Sequence, residues 1–567
     1  NYVDEFYKMY QHPYEAYLQN ERGTNGDYVM STFGPDLVGV TDQYSKQLTP
    51  TMYSTLTWDK KVGDHSIKVL GGYEQIYFQS RGLRGRRTAG VSTSLTEITG
   101  YTASGETINF THPRLPSLPS TEEWGLQSFF GRLNYDFKSK YLLEANIRYD
   151  GTSKVSPDYR WGIFPSVSAG WLISSETFMD RFSWLDLFKL RASYGTLGNQ
   201  NIGTYAYQNT LTVSGINYPF GNTGLTPGAV LNSYRDQSIR WESTRIIDFG
   251  ADITLLKGLF GLSFDWFNKK SYDILAAQPV PASLGLGSPT INNGELRNRG
   301  IEIEVRHNHR FGEFSYGVFG QLSTNKNQVM DIKVPSFGTS IRQKGYEYDG
   351  HWLYIWDGIF QEEDIGNPRV PVHALNPSPK AGDLKMKDMT GDGRVDGNDR
   401  VFVNGVYPKS IYSFGFNADF KGFSLNAFFQ GVNGVQNRVN NWGVDPFMQG
   451  TPPTTKWRDA WTPQNRSNTI PAIYTAGYTG VASYVGSTYY LMDASYLRLK
   501  NIQLSYTFPR SVINRFKASD LTVYVSGENL VTWTDYEGSD PERASTSGNF
   551  QTYPQARVVS LGLNIKF

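Results

Sequence analysis

The segment that most constrains the fold runs from Tyr496 to Pro509 and reads Y-L-R-L-K-N-I-Q-L-S-Y-T-F-P. Within it two sets of residues alternate: the apolar set is Ile502, Leu504, Tyr506 and Phe508, and the polar set is Asn501, Gln503, Ser505 and Thr507. Because successive side chains of a β-strand point to opposite faces, this pattern predicts a strand with one apolar and one polar face. Such a strand suits either a soluble sandwich or the wall of an outer-membrane barrel, with lipid outside and water inside.

The same alternation recurs along the chain. Residues 143–149, 262–266 and 301–305 each place apolar side chains at every second position, with acidic, basic or small polar residues between them. A helical period of 3.6 residues is not sustained in any segment, so we predict an all-β fold of about sixteen strands.

The lengths of the predicted connections also alternate. Short turns are expected near residues 63, 139, 180, 257, 311, 421 and 513, and long connections at about 83–123, 199–239, 330–408 and 435–488. An up-and-down barrel has short turns on one rim and long loops on the other. We therefore predict that residues 1–567 form one large antiparallel up-and-down transmembrane β-barrel; a secreted, multidomain, β-rich glycan-binding protein is the alternative from another class.

Composition narrows the choice of function. The chain has 567 residues, more than the ~250–300 at which a single soluble core stops growing. The net charge of +1 gives no indication of a nucleic-acid partner, and cysteine is absent, which excludes thiolate metal sites. No run of about 18 apolar residues predicts a transmembrane helix. Nucleophile elbows, zincin motifs and nucleotide-binding loops are also absent, so we predict that the protein is not an enzyme.

Several stretches resemble the C-terminal barrel of the SusC/RagA family of TonB-dependent transporters. They include R-W-G-I-F-P-S-V-S-A-G-W-L-I-S-S-E at 160–176, L-R-A-S-Y-G-T-L-G-N-Q at 190–200 and S-G-E-N-L-V-T-W-T-D-Y-E-G-S-D-P-E at 526–542. Shorter matches lie at 239–244, 292–303, 357–361 and 388–396, and the segment 496–509 is a further match. The matches occur in the order found in the family.

The resemblance implies a barrel of 22 strands, of which this chain would supply roughly strands 7 to 22. The plug, the TonB box and the first strands are expected to lie outside this chain. It also implies active import of large nutrients, glycans or oligopeptides, through the lipid of the bacterial outer membrane. The implied partners are TonB, which supplies energy through the plug, and a SusD-like surface lipoprotein that acts as a lid. A TonB-dependent receptor for metal chelates or vitamin B12 that works without a lid stays open as an alternative.

One local motif predicts a metal site. Residues 388–399, D-M-T-G-D-G-R-V-D-G-N-D, fit the twelve-position calcium loop with its turn glycine at position 6. A hard cation takes six to eight oxygen ligands, and this spacing would wrap them around one point. The predicted ligands of Ca²⁺, with Mg²⁺ as the alternative, are Asp388, Thr390, Asp392, the carbonyl of Arg394, Asp396 and Asp399. A solvated acidic turn without metal is the other interpretation.

Aromatic residues of the long connections are candidate substrate contacts, because exposed rings stack on sugars or peptides. Trp352, Tyr354 and Trp356 alternate in H-W-L-Y-I-W, and three more tryptophans lie in the 435–488 connection. The candidate residues are Trp352, Tyr354, Trp356, Trp442, Trp457 and Trp461. Packing within the loops or a position in the interfacial girdle is the alternative role.

Overall fold

The computed structural model of the protein describes residues 2–22, 27–33, 38–90, 94, 96–109, 121–212, 216–219, 224–231, 234–278, 280–440, 443–447, 452–474, 478–513, 518–542 and 553–567. Sixteen long strands, numbered here in chain order, form its main sheet. They are β1 (Tyr2–Gln11), β2 (Gly39–Leu48 and Thr51–Val62), β3 (His65–Gly90), β4 (Thr121–Phe137), β5 (Tyr141–Thr152), β6 (Trp161–Leu172), β7 (Leu185–Asn199), β8 (Glu242–Leu255), β9 (Phe260–Tyr272), β10 (Gly294–Phe311), β11 (Phe314–Thr324 and Lys326–Ile332), β12 (Ser410–Phe420), β13 (Phe423–Asn433), β14 (Tyr496–Thr507), β15 (Asp520–Thr534) and β16 (Val558–Lys566).

Each strand pairs antiparallel with the next one in the chain, from β1 to β16. Strand β2 is interrupted at Thr49 and Pro50 because proline has no N–H to donate to the ladder. The register with β3 is the same on both sides of the break, and the carbonyl of Pro50 still accepts from the N–H of Tyr77 at 3.1 Å. The prediction of about sixteen strands in an up-and-down order is confirmed.

The connections separate into two rims, as the sequence predicts. On one rim the turns between paired strands are short, such as Lys421–Gly422 between β12 and β13, where φ is 46° and 89°. Positive φ at both turn residues gives a twist that matches the flanking strands. On the other rim, 333–409 joins β11 to β12 and 434–495 joins β13 to β14. Long loops are therefore confined to one end of the sheet.

The polar face of the sheet is concave. A cavity of about 530 Å³ is lined by side chains from seven consecutive strands, β2 to β8: Asp59, Ser66, Asn134, Glu144, Ser168, Arg191 and Asp248. A second cavity, of about 470 Å³, is lined in the same way from β9 to β13. On the convex face Ile147, Phe249, Val305 and Leu504 are exposed. The sheet is the wall of a large antiparallel barrel, apolar outside and polar inside.

Short elements fold the long connections. Small paired strands there are Tyr14–Arg22, Tyr28–Phe33, Tyr101–Asn109, Leu211–Thr212, Asn217–Pro219, Leu225–Pro227, Val230–Leu231, Leu275–Ala277, Thr290–Asn292, Ser336–Phe337, Ser340–Arg342, Gly350–Leu353, Trp356–Ile359, Val372–His373, Leu384–Met386, Arg394–Val395, Val401–Val403, Gln436–Arg438 and Leu491–Asp493. Single turns of 3₁₀-helix are Ile98–Gly100, Pro157–Tyr159, Ile173–Ser175, Thr177–Met179, Ala282–Leu284, Glu362–Asp364, Gly397–Asp399, Thr455–Asp459, Thr479–Ser483 and Thr488–Tyr490. The one α-helix of the described residues is Arg510–Ile513, and no helix described here has the length and apolar character needed to cross a membrane.

One predicted loop differs from the structure. The connection expected at 83–123 contains the last eight residues of β3, which continues to Gly90 and pairs with β2 as far as Thr88. The strand Tyr101–Asn109 then pairs with the same part of β3. The Arg- and Gly-rich composition of 81–90 indicated a loop, but here the backbone ladder, rather than side-chain alternation, extends the strand beyond the predicted end.

The two faces of β14 give a direct test of this architecture. Leu504→Arg places a charge on the convex apolar face, and we expect it to cost about 2–4 kcal/mol near the middle of the bilayer. Gln503→Arg, the matched control one residue away, puts the same charge on the polar face and should change stability little. Equilibrium unfolding of the full-length protein in lipid vesicles measures both. An equal loss for the two variants, or a larger loss for Gln503→Arg, would contradict the assignment of faces.

Candidate functional site

Ion pairs join neighbouring strands on the inner wall. Arg191 of β7 reaches across β8 and donates to Asp252 at 2.8 Å and to Asp265 of β9 at 2.8 Å. The strand register places Gly250 between Arg191 and Asp265, and a Cβ there would lie 2.2 Å from the Asp265 carboxylate and 2.7 Å from the guanidinium carbon. Because Gly250 has no side chain, there is room for the ion pairs of Arg191. Arg191 and its two aspartates line a water-accessible surface, and both of these carboxylates are paired.

The two longest connections pack into one body, which we call the loop cap: the described residues of 333–409 and 434–495. Its apolar core combines Ile359, Leu384 and Met386 of the first connection with Trp461 and Tyr484 of the second. A parallel β-bridge between Tyr354 and Ser487 adds a backbone link. Because a buried apolar core joins them, the two connections form a single structured cap on the long-loop rim.

A buried carboxylate fastens the loop cap. Asp383 is fully buried and accepts from the side-chain amide of Asn376 at 2.8 Å and the N–H of Lys380 at 2.9 Å. It also accepts from the hydroxyls of Tyr478 at 2.5 Å and Tyr484 at 2.9 Å, which belong to the other connection. Burial and the charge of Asp383 raise the pKa of Tyr484, so its hydroxyl stays protonated and keeps donating.

The aromatic candidates occupy two kinds of position in the cap. Tyr354, Trp457 and Trp461 are buried, and the indole N–H groups donate to the Val444 carbonyl and to the Gln361 side chain at 3.0 and 2.9 Å. These three rings fit the alternative role of loop packing. Trp352 and Trp356 are half-buried; Trp352 meets Phe337 and Tyr346 edge to face, and Trp356 meets Tyr489 in the same way. Substrate contact by this pair stays a prediction.

Trp442 lies outside the described residues, so its role in substrate binding stays a prediction.

Trp457 also lines a cavity of about 440 Å³ on the cap, together with Lys456, Tyr489 and Glu537. Lys456 and Glu537, which both line this cavity, form an ion pair of 3.0 Å. The cavity wall therefore carries both signs of charge and one large indole.

The predicted calcium loop folds as a turn whose carboxylates accept hydrogen bonds from its own backbone. Buried Asp399 accepts at Oδ1 from the N–H of Met389, and from the N–H and the hydroxyl of Thr390, and at Oδ2 from the N–H of Asp396. Burial acts to raise the pKa of Asp399, but these bonds hold it below its usual value. Asp388 accepts in the same way from the N–H groups of Gly391 and Gly393, at 2.6 and 2.8 Å.

Metal binding at 388–399 stays a prediction. Among the described residues, no group of three or more His, Asp or Glu side chains is placed so that it could hold a metal ion. The candidate oxygens are of the kind that Ca²⁺ takes, yet the carboxylates of Asp392 and Asp396 also accept from backbone N–H groups. A cation would have to replace some of these N–H donors.

A buried ion pair that the sequence reasoning missed joins β14 to the connection between β15 and β16. Arg498 is 2% exposed and donates to Asp540 at 2.8 Å and to Glu542 at 2.7 Å. Burial alone would raise the pKa of Asp540, but hydrogen bonds from Arg498 and from the N–H groups of Gln555 and Glu542 lower it. The signal was present: basic Arg498 and Lys500 on β14, and the acidic S-D-P-E stretch shortly after its partner β15.

Comparison with known proteins assigns the family. Residues 4–530 match the family model described as TonB dependent receptor-like, beta-barrel. The chain belongs to this family. It is also similar to proteins of the SusC/RagA type, as the resemblance in the sequence indicated.

Two curated relatives define the extent of the similarity. The chain is 29% identical over 557 residues to TonB-dependent receptor P3 of Formosa agariphila, covering 93% of this chain and 53% of that protein. It is 25% identical over 588 residues to TonB-dependent receptor SusC of Bacteroides thetaiotaomicron, covering 98% and 52%. The chain thus spans about half the length of the curated relatives it matches.

Solved structures confirm the fold. The RagAB peptide importer in its closed-closed state superposes with a TM-score of 0.77 at 21% identity, over 94% of this chain and 57% of that chain. The RagAB peptide transporter gives the same TM-score of 0.77 at 20% identity, over 100% of this chain and 62% of that one. The sixteen-strand wall therefore has the fold of the corresponding part of these structures.

The Arg498 ion pair leads to a stability prediction. Arg498→Gln leaves Asp540 buried without its cation, so we expect the 535–557 connection to lose about 3–5 kcal/mol of local stability. Hydrogen exchange at the N–H groups of Glu542 and Gln555, which donate to Asp540, measures this loss. Because the folded pKa of Asp540 is depressed, its contribution is present above the unfolded pKa of about 4 and is lost as pH falls below it.

Lys500→Gln is the matched control. Lys500 contacts Glu542 at 2.6 Å at a more exposed position, so its loss should cost no more than about 1 kcal/mol. Equal exchange rates in wild-type and Arg498→Gln protein would show that the pair does not hold the connection.

Proposed function

We propose that this chain forms the pore wall and outer loops of an active importer of large nutrients in the bacterial outer membrane. The observation that carries the proposal is the asymmetry of the barrel. Its apolar residues face outward, its polar residues line a concave interior, and its long connections are built into a cap on one rim only. A wall of this kind gives a polar path through lipid, and the cap offers a structured surface at its entrance.

The partners follow from the family and are part of the proposal. A plug, which TonB pulls from the inner membrane, would close the wide lumen and open it only when energy is supplied. A SusD-like surface lipoprotein would cover the loop cap and retain substrate above the pore. RagAB is a peptide importer, and SusC is a TonB-dependent receptor. Glycans and oligopeptides are therefore the substrate classes we propose, and catalysis is not part of the role.

The loop at 388–399 has a secondary role in this proposal. We propose that Ca²⁺, with Mg²⁺ as the weaker competitor, binds the oxygens of this loop and stiffens it against the cap. The chemistry of the donor set supports this, since four carboxylates and a threonine hydroxyl lie within twelve residues. Val395 packs into the apolar core of the cap, so order in the loop would reach that core.

The transport proposal is tested in the bacterium that carries the full-length gene. Deletion should abolish growth on one class of substrate, large glycans or oligopeptides, and leave growth on the monomers unchanged. Uptake should also stop when the proton gradient is collapsed, while binding to the cell surface persists. Uptake that survives loss of the gradient would contradict energy supply through TonB.

Purification of the transporter tests the lid. A transporter purified from outer membranes at native expression levels should carry a SusD-like lipoprotein with it. If the intact protein purifies alone and transports normally in a strain without the lipoprotein, the lidless receptor for metal chelates or vitamin B12 becomes the better hypothesis. A protein that stays monomeric and soluble without detergent would instead support the secreted glycan-binding alternative.

Calorimetric titration tests the cation. CaCl₂ added to the full-length protein should bind at one site per chain and raise the melting temperature, and MgCl₂ should do so more weakly. Asp388→Asn combined with Asp392→Asn should abolish both effects, because the half-buried Asp388 carboxylate and the exposed Asp392 carboxylate are lost while buried Asp399 is kept. Asp364→Asn, which removes one carboxylate elsewhere in the cap, is the control. If Ca²⁺ gives no heat of binding and leaves the melting temperature unchanged, the site is refuted.

A further inference from the structure

Basic side chains form a patch on the convex face of the sheet, close to the long-loop rim. Arg245 of β8 lies opposite Lys270 of β9, which in turn lies opposite Arg297 of β10. In the next row toward the middle of the wall, Arg299 of β10 lies opposite Lys326 of β11. We call these five residues the basic patch. The strand register thus gathers cations from four consecutive strands on one face.

The basic patch continues the lipid-facing surface of the barrel. Two residues from Arg299 along β10 is Ile301, which lies opposite Trp266 of β9. Trp266 lies opposite Phe249 of β8, and their rings stack with 5.9 Å between centroids. Residues an even number of positions apart on a strand share a face, so this apolar row lies on the same face as the patch. The patch begins where the apolar belt ends, at the level of lipid headgroups.

The basic patch lies at the long-loop end of its strands. β8 starts at Glu242 and β10 starts at Gly294, so Arg245 and Arg297 each lie three residues from that end. The short turns, such as Lys257–Gly258, lie at the other end of the same strands. With the loop cap at the outer entrance, as proposed above, the patch lies at the outer leaflet.

The cations of the patch outnumber the acids beside them. Lys270 pairs with Glu295 at 2.6 Å, and Arg297 donates to the side-chain carbonyl of Gln328 at 2.6 Å. Within the described ranges, no carboxylate forms an ion pair with any of the four patch cations other than Lys270. Like charges directly opposite each other on antiparallel strands are destabilising, and here they follow one another across three strands. The patch therefore has an excess of charge that an external anion would balance.

Neighbouring parts of the convex face carry different side chains near the same rim. On β7 the residue opposite the patch is Thr196. On β13 and β14 this face carries Phe429 opposite Leu499. On β1 and β2 both signs of charge are present, and Lys8 lies 3.7 Å from Asp42. Height on the wall alone therefore does not explain the excess of cations on β8 to β11.

We propose that the basic patch binds the phosphate group of a glycolipid in the outer leaflet, while the acyl chains of that lipid lie on Phe249, Trp266 and Ile301. Arginine binds phosphate through two parallel N–H···O bonds, and lysine binds it as a point charge. Cations beside a membrane also attract anionic lipid over a longer range.

A second copy of the chain does not fit the patch. A two-fold contact would set the patch against itself, cation against cation. The inference takes the orientation of the barrel from the proposed function, but it does not depend on the imported substrate.

The test measures lipid binding to the full-length transporter in an uncharged detergent by native mass spectrometry. We expect wild-type protein to bind monophosphoryl lipid A at least tenfold more tightly than the dephosphorylated lipid. Arg245→Gln combined with Arg299→Gln should reduce this preference to twofold or less, because two exposed cations are removed. The melting temperature of this variant should be unchanged or higher, since like charges are separated.

Lys269→Gln is the matched control. Lys269 is an exposed cation next to Lys270 on β9, but it lies on the inner face, so its replacement should keep the wild-type preference. Equal binding of the two lipids by wild-type protein, or a preference that survives in the double variant, overturns the inference. A lower melting temperature with an unchanged preference would show that the arginines are merely structural.

Further probes distinguish the source of the phosphate. Inorganic phosphate at 10 mM should not displace monophosphoryl lipid A, because the apolar row also holds the acyl chains; displacement would indicate a site for free anions and overturn the lipid assignment. Phosphatidylglycerol that binds as tightly as monophosphoryl lipid A would overturn the assignment to a glycolipid. Wild-type dimers that the double variant abolishes would make the patch a protein interface. None of these results bears on nutrient uptake by cells, which tests the import proposal separately.

Discussion

Backbone hydrogen bonding in hydrocarbon is the constraint on which this structure depends. Lipid offers no partner to an N–H or C=O group, so a wall made of strands must satisfy every group through its neighbours. The inner strands, β2 to β15, do so between two neighbours in chain order, and even Pro50, which has no N–H, keeps its carbonyl in the ladder. Alternation of side chains then follows from strand geometry, because each residue faces either lipid or the lumen.

This constraint explains how much of the fold the sequence could predict. Strands that cross lipid must alternate, so β5, β9, β10 and β14 were visible as patterns, and the short turns between hairpins were found at Gly63, Lys257, Gly312 and Lys421. Outside the lipid, strands do not have to alternate apolar and polar residues. The end of β3 at 83–90 carries arginines and glycines without alternation, and its partner Tyr101–Asn109 is identified only by pairing in the structure.

The candidate site was predicted less well, for a physical reason. Its important contacts join residues far apart in the chain: Asp383 with Tyr484, and Arg498 with Asp540. Local composition cannot show such pairs. The sequence shows where the tryptophans are, but it does not distinguish a ring that stacks on substrate from a ring that packs inside a loop core. Trp461 is in the second class because its indole N–H is bonded to Gln361 within the cap.

The buried acids of the loop cap are satisfied by internal donors. Asp383 accepts from two tyrosine hydroxyls, an amide and an N–H, and Asp399 accepts from its own turn. Because Asp383 belongs to one long connection and the two tyrosines to the other, this carboxylate links both connections. A buried charge that accepts from several donors costs much less than an unpaired one, so the cap can hold these acids in place at the entrance of a polar lumen.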